Sequence, residues 1–332
     1  MNRTKKIKKI AVMTSGGDAP GLNACIRAVV RTAIYNQLQV VGIQHGFEGM
    51  ISGDFIPMNA NSVSNIIQLG GTILKSSRSE QFKTKEGRLM AYEKIKKEGL
   101  DAIVLIGGDG SFEGAKVFTN EHDVSFIGIP KTIDNDISDT DVCIGYDTAL
   151  NTAMQAIDKI RDTAQSHERI FIVEVMGRDS GYIAYGAGLA GGTEAILVPE
   201  TKADYCNLEQ VLKKGWDRIK SSLIIVVAEG DESGGGFKVA ETVKKYMPSH
   251  YVGVCILGHI QRGGSPSAAD RNLASKLGYA AIEGLLADKT NVMVGMKLNA
   301  ICFTPLNQIK RHHLDINTNL LKMITALTNG GF

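Results

Sequence analysis

KIAVMTSGGDAPGLNACIRAVVRTAIY, residues 9–35, holds three patterns in succession. The first, KIAVMTS, is a short and nearly continuous apolar run, which fits a strand buried on both faces. A glycine turn follows. Beyond it Leu22, Cys25, Ile26, Val29, Val30 and Ala33 fall at the i, i+3, i+4, i+7 spacing of one helix face. Similar short runs recur: VVGI, AIVLIGG, SFIGIP, IFIVEVMG, EAILVPE, LIIVVAEG and VGVCILG. Between several of them lie helical patterns. In TALNTAMQAIDKIRDTA, Leu150, Ala153, Met154 and Ile157 share one stripe. Continuous apolar strands alternating with helices predict an α/β protein whose parallel sheet is covered on both faces. Binding sites in such sheets lie beyond the carboxyl ends of the strands.

A chain of 332 residues is long enough for one large or two medium domains. At 43% hydrophobic and 22% charged it fits a soluble globular class, not a disordered or membrane one. The 37 basic and 35 acidic residues nearly cancel, so there is no broad basic field for nucleic acid, and phosphate must be held by local sites. The apolar stretch after the basic start MNRTKKIKKI is too short for a signal peptide or membrane span, which predicts a cytoplasmic protein. Five scattered cysteines fit reduced thiols better than a disulfide framework or a zinc site.

Glycine and acid gather at the predicted strand ends. TSGGDAPG, residues 14–21, offers backbone N–H groups and a helix N-terminus to an anion, although no GK[ST] follows as in a Walker loop. IGGDGS, residues 106–111, keeps Gly107, Gly108 and Gly110 bare while Asp109 can reach a Mg²⁺ shared with phosphate oxygens; the lesser alternative is a tight strand-to-helix turn. PKTIDND, residues 130–136, is rich in turn formers, yet in an extended segment Asp134 and Asp136 would point the same way and could divide base and metal duties. Gly186, Gly188 and Gly191 match GxGxxG, but no strand runs into them, and close helix packing is the better reading. Arg169, Arg178, His259 and Arg262 stand near later strand ends, where arginine suits bidentate phosphate recognition or an ordinary surface ion pair.

TSGGDAPG, IGGDGS, TIDND, SHERIFIVEVMGR and GHIQRGGSP, in that order across residues 10–275, closely resemble the 6-phosphofructokinase family. The resemblance implies two similar three-layer α/β/α lobes with mostly parallel sheets. Residues 1–145 plus 261–311 would form the nucleotide lobe, and 146–260 plus 312–332 the sugar-phosphate lobe. The implied reaction moves the γ-phosphoryl of ATP to the 1-hydroxyl of fructose 6-phosphate, with Mg²⁺, in glycolysis. Asp134 would be the general base, with Thr132, Arg178 and Gly17 stabilising the group in flight. Gly17, Arg78, Gly108, Asp109, Gly110 and Ser111 would bind ATP, with Asp109 and Asp136 associated with the metal. Thr132, Asp134, Asp136, Met176, Gly177, Arg178, Glu229, His259 and Arg262 would face the sugar, with Arg169 supplied by a neighbouring subunit of a homotetramer. Arg27, Arg31, Arg161, Glu194, Arg218 and Lys220 match positions of a site for ADP or phosphoenolpyruvate as effector.

The chain departs from the family pattern at three places. Gly110 fits an ATP user, because an aspartate there typifies pyrophosphate users, whereas Lys131 is a cue for pyrophosphate; Gly110 is weighted more heavily. Gly253 stands where the family presents a second arginine to the 6-phosphate. This admits a weak kinase, a kinase for another sugar phosphate, or a regulatory paralogue. Asp54 replaces a common effector-site arginine with a charge that repels an anion, which puts effector control in question.

Overall fold

The computed structural model describes residues 7–201, 222–316 and 318–328, together with Leu208 and Leu212. Its chain divides into two compact units. One comprises Met1–Thr132, Ile137–Asp147 and Arg262–Arg311; the other comprises Ile133–Asp136, Thr148–Gln261 and His312–Phe332.

The first unit is built on a seven-stranded sheet: β1 (Lys9–Thr14), β2 (Gln39–Ile43), β3 (Phe55–Met58), β4 (Ala102–Gly107), β5 (Ser125–Pro130), β10 (Val292–Lys297) and β11 (Ala300–Pro305). Their order is β11-β10-β5-β4-β1-β2-β3. The inner pairs are parallel, and only the edge pairs β2/β3 and β10/β11 are antiparallel. Successive residues of β1 and β4 enter different apolar clusters. Ile10, Val12, Val104 and Ile106 pack with α1 (Leu22–Tyr35) on one face. Ala11, Met13, Ile103 and Leu105 pack on the other, with Met50 of α2 (Gly46–Ser52), Ile95 of α3 (Lys85–Glu98) and Phe112 of α4 (Asp109–Glu121). Two-faced burial is why these strands lack polar alternation. Every residue of the α1 stripe expected from periodicity is buried.

The second unit carries a parallel four-stranded sheet, ordered β7-β8-β6-β9, from β6 (Ile170–Val175), β7 (Ala195–Leu197), β8 (Leu223–Ala228) and β9 (Val252–Ile256). Its helices include α5 (Tyr146–Ser166), α6 (Tyr182–Ala190) and α7 (Gly236–Tyr246). Gly188 lies in α6, and a Cβ there would come within 2.6 Å of Ile196 in β7, so close helix-to-strand packing accounts for that glycine. Among the described residues no helix is long and apolar enough to cross a membrane.

Candidate active site

Strand order places the candidate loops of the first unit. From β1 the chain proceeds outward through β2 to β3, then returns to start β4 on the other side of β1 and proceeds through β5. The reversal falls between β1 and β4, and the crevice beyond the carboxyl ends of such a pair is where α/β sheets bind ligands. TSGGDAPG leaves β1 and GGDGS leaves β4 at that place. The Ser111 hydroxyl donates to Ser15 Oγ (2.9 Å) and the Ser15 N–H to the Ile106 carbonyl (3.0 Å), which ties the loops together. A Cβ on Gly17 would meet Arg262 Nη1 at 2.8 Å, and that guanidinium also donates to the Asp18 carbonyl (3.3 Å). Arg262 therefore lies on the first glycine loop. Ser76 donates to the Gly16 carbonyl (2.6 Å), which brings the segment before Arg78 onto the same loop while Arg78 itself is exposed.

Lys131, at the end of β5, is buried; its ammonium donates to the carbonyls of Ser15 (3.2 Å) and Gly17. A cation beneath the loop engages its carbonyls from inside the fold. Asp109 opens α4 directly after Gly108, with its carboxylate 30% exposed, and Arg311 Nε donates to its Oδ2 at 2.7 Å. Among the described residues no three His, Cys, Asp or Glu side chains gather as a metal cage. Mg²⁺ commonly binds through one or two carboxylates with substrate phosphates and water, so a lone accessible hard-oxygen donor at a phosphate-type loop fits such an ion.

In the second unit, β6 has β8 on one side and β9 on the other, and the candidate residues leave their carboxyl ends. The Glu229 carboxylate, after β8, accepts from the N–H groups of Gly177 (3.2 Å) and Arg178 (2.8 Å), after β6. This holds Arg178 in a left-handed backbone conformation (φ 53°). Arg178 Nε in turn lies 3.6 Å from Asp134 Oδ2. Asp134 is 3% exposed, and its carbonyl accepts from the Ser180 hydroxyl (3.0 Å). Asp136 is also buried and its carbonyl accepts from the His312 N–H (2.7 Å). The segment is not extended. Asn135 takes φ 51°, which asparagine tolerates better than most residues, so the two aspartates leave a turn and the expectation from strand alternation does not hold. Met176 is buried, whereas His259 is exposed in the turn Gly258–Arg262 after β9. Thr132 is the last residue of its segment of the first unit.

Gly253 is buried in β9 opposite Phe171 of β6, and a Cβ there would come within 2.6 Å of the Phe171 ring and 3.2 Å of the Tyr251 ring. Arg169 lies over the Tyr251 ring at 4.5 Å. Aromatic rings thus pack against the space that a side chain at 253 would need. Of the effector-type residues, Arg161 donates to the Gly191 carbonyl (2.6 Å) and lies 3.9 Å from the buried Glu194. Arg27 and Arg31 sit on α1, and Asp54 pairs with His45 (3.0 Å). Arg218 and Lys220 lie outside the described residues. Three contributors escaped sequence reasoning: Ser15, Ser180 and Arg311. A basic run, KRHH at 310–313, was the one available signal for Arg311.

Comparison with known proteins agrees with this architecture. The family profile described as Phosphofructokinase matches residues 9–285. The chain is 51% identical to "ATP-dependent 6-phosphofructokinase 2" of Bacteroides thetaiotaomicron over 322 residues, covering 97% of this chain and 99% of that one. It is 50% identical to "ATP-dependent 6-phosphofructokinase" of Cytophaga hutchinsonii over 326 residues, covering 98% and 99%. Among solved structures, Pichia pastoris phosphofructokinase in the T-state superposes with a TM-score of 0.85 at 30% identity; the match covers 99% of this chain and 37% of that longer one. With strand order, loop placement, family profile and full-length relatives in agreement, the chain belongs to the phosphofructokinase family.

Proposed function

We propose that this chain transfers the γ-phosphoryl of ATP to the 1-hydroxyl of fructose 6-phosphate, giving fructose 1,6-bisphosphate and ADP. The first unit supplies the donor site and the second the sugar-phosphate site. Gly110 carries the choice of donor: a Cβ built there meets nothing within 4 Å, so nothing among the described residues requires a glycine, and the bare position leaves room for a nucleotide. Relatives half identical over their whole length bear names with the same donor. Lys131 is compatible with this reading, since its ammonium sits against loop carbonyls.

Asp134 takes the proton of the 1-hydroxyl as that oxygen attacks the γ-phosphorus and the bond to the ADP oxygen breaks. Arg178, 3.6 Å from that carboxylate, is the cation that would follow the charge on the moving group. The N–H groups of the Gly16–Gly17 turn and the head of α4 receive the donor phosphates, with Thr132, Ser111 and Arg78 beside them. Asp109 and Asp136 would hold Mg²⁺, which would neutralise charge on those phosphates. Glu229 fixes the turn that presents Met176 and Gly177 to the sugar, and His259 and Arg262 are further sugar contacts in this reading. Arg169 from a second copy holds the 6-phosphate in a cytoplasmic homotetramer. Arg27, Arg31, Arg161 and Glu194, with Arg218 and Lys220, serve an anionic effector such as ADP or phosphoenolpyruvate.

Initial rates with fructose 6-phosphate and Mg²⁺, with ATP in one series and pyrophosphate in the other, test the assignment. Turnover with ATP alone is expected, and turnover with pyrophosphate alone would reverse the donor. Asp134→Ala should lower kcat by about 10²–10⁴-fold while ATP binding persists. A variant as fast as the parent removes Asp134 from the role of base.

A further inference from the structure

Asp109 does not stand by itself at the crevice between β1 and β4. Arg311, two hundred positions later in the chain, donates from Nε to its Oδ2 at 2.7 Å. The backbone that launches Arg311 is fixed. Arg311 bridges antiparallel to Ile137, the Ser138 N–H donates to the Lys310 carbonyl (2.9 Å), and the Lys310 N–H returns to Ser138 Oγ (3.0 Å). The next residue, His312, gives its N–H to the carbonyl of Asp136 (2.7 Å).

A carboxylate in the first turn of a helix is already favoured by the helix dipole, so Asp109 needs no arginine in order to be stable. An arginine on such a carboxylate does something else: it restricts rotation and fixes which way the oxygens point. Carboxylates that hold metals are oriented by hydrogen-bonding partners of this kind.

We propose that Arg311 is a positioning residue for the phosphoryl donor, holding the Asp109 carboxylate in the orientation that receives the Mg²⁺ of Mg·ATP. The inference rests on the donor-site reading above. It separates Arg311 from a cation that binds phosphate directly, because a positioning residue matters only when the metal is present.

Calorimetric titration of the full-length protein with Mg·ATP, and with ATP in EDTA, tests this in the parent, Arg311→Gln and Arg311→Lys. Arg311→Gln should weaken Mg·ATP binding by about 10–100-fold and leave metal-free ATP unchanged. Arg311→Lys, which keeps a charged donor, should recover part of the loss. It also carries the comparison if the glutamine variant fails to fold. Equal weakening with and without metal would overturn the proposal in favour of direct phosphate contact. No change in either titration would reduce the pair to a surface ion pair. A parent that binds ATP without regard to Mg²⁺ would overturn the donor-site reading and this inference together, whereas Mg²⁺-dependent binding that survives in both variants would overturn this inference alone.

Discussion

Gly110 occupies the first turn of α4, although glycine in a helix costs about 0.5–1 kcal/mol relative to alanine. With no described residue within 4 Å of a Cβ there, packing offers no compensation, and the proposed approach of a nucleotide is the reason that remains for the glycine. Gly110→Asp is expected to leave the melting temperature unchanged or raised, since an acid suits a helix N-terminus, while the KM for ATP rises about tenfold or more. Paired melts and kinetics separate the two effects, and an unchanged KM would detach Gly110 from donor choice. Gly253 is the opposite kind of glycine. Its place is enforced by the Phe171 ring, so Gly253→Arg by itself should overpack the β6/β9 pair and cost about 1–3 kcal/mol. Combined with Phe171→Ala, the arginine gains room, and the KM for fructose 6-phosphate should fall below that of Phe171→Ala alone. Equal KM values would show that no phosphate comes near position 253. Sequence exposed the missing arginine but not the ring beside it, because register between strands eighty residues apart leaves no local trace.

Among the elements, α4 bears a proposed function at one end and anchorage at the other. Asp109 opens it, and Glu121 closes it in a paired contact with Arg88 of α3, Nε to Oε2 at 2.5 Å and Nη2 to Oε1 at 2.7 Å. Arg88 also donates to the carbonyls of Phe82 (3.0 Å) and Lys83 (2.7 Å), fastening the turn that follows Arg78. The hydrogen bonds from Arg88 hold the Glu121 carboxyl below the usual carboxylate range, and the same bonds raise the Arg88 guanidinium. A depressed carboxyl stabilises the fold above its unfolded pKa and loses that contribution as pH falls through the folded one. Chemical denaturation across the acid range should therefore show a steeper loss of stability in the parent than in Glu121→Gln. At neutral pH the variant should be weaker by about 1–3 kcal/mol. Matching acid slopes would mean that the clamp contributes nothing. All eight apolar runs expected as strands are strands, and in all but the half-buried edge strand β9 burial on both faces largely accounts for the uninterrupted hydrophobicity. The strands without such a signal are β3, β10 and β11, at or near the sheet edges. β11 is largely exposed or half-buried, and its hairpin turns through Leu298 (φ 50°) and Asn299 (φ 60°) without the Asn-Gly that marks a tight turn. Apart from the run KRHH, Arg311 left no trace for a related reason: it belongs to no glycine loop and no periodic segment, and only tertiary structure carries it to Asp109.

For the whole molecule, the path of the chain matters more than its length. It passes from the first unit to the second after Thr132, returns after Asp136, leaves again after Asp147, returns after Gln261 and leaves finally after Arg311. A fragment spanning 148–261 would lose contacts made within its own unit, among them the Asp134 carbonyl that receives Ser180, the His313 ring against the Asp179 carbonyl, and the Leu314 N–H on Glu200. Such a fragment is expected to show no cooperative thermal transition by circular dichroism, and a sharp one would establish it as self-sufficient. The shortest excursion, Ile133–Asp136, has a further consequence. Four residues that include the proposed base are spliced into the middle of the other unit's coding sequence, so no single recombination breakpoint can transfer the second unit intact. The two halves can diverge in sequence, but they must be inherited as one indivisible gene segment.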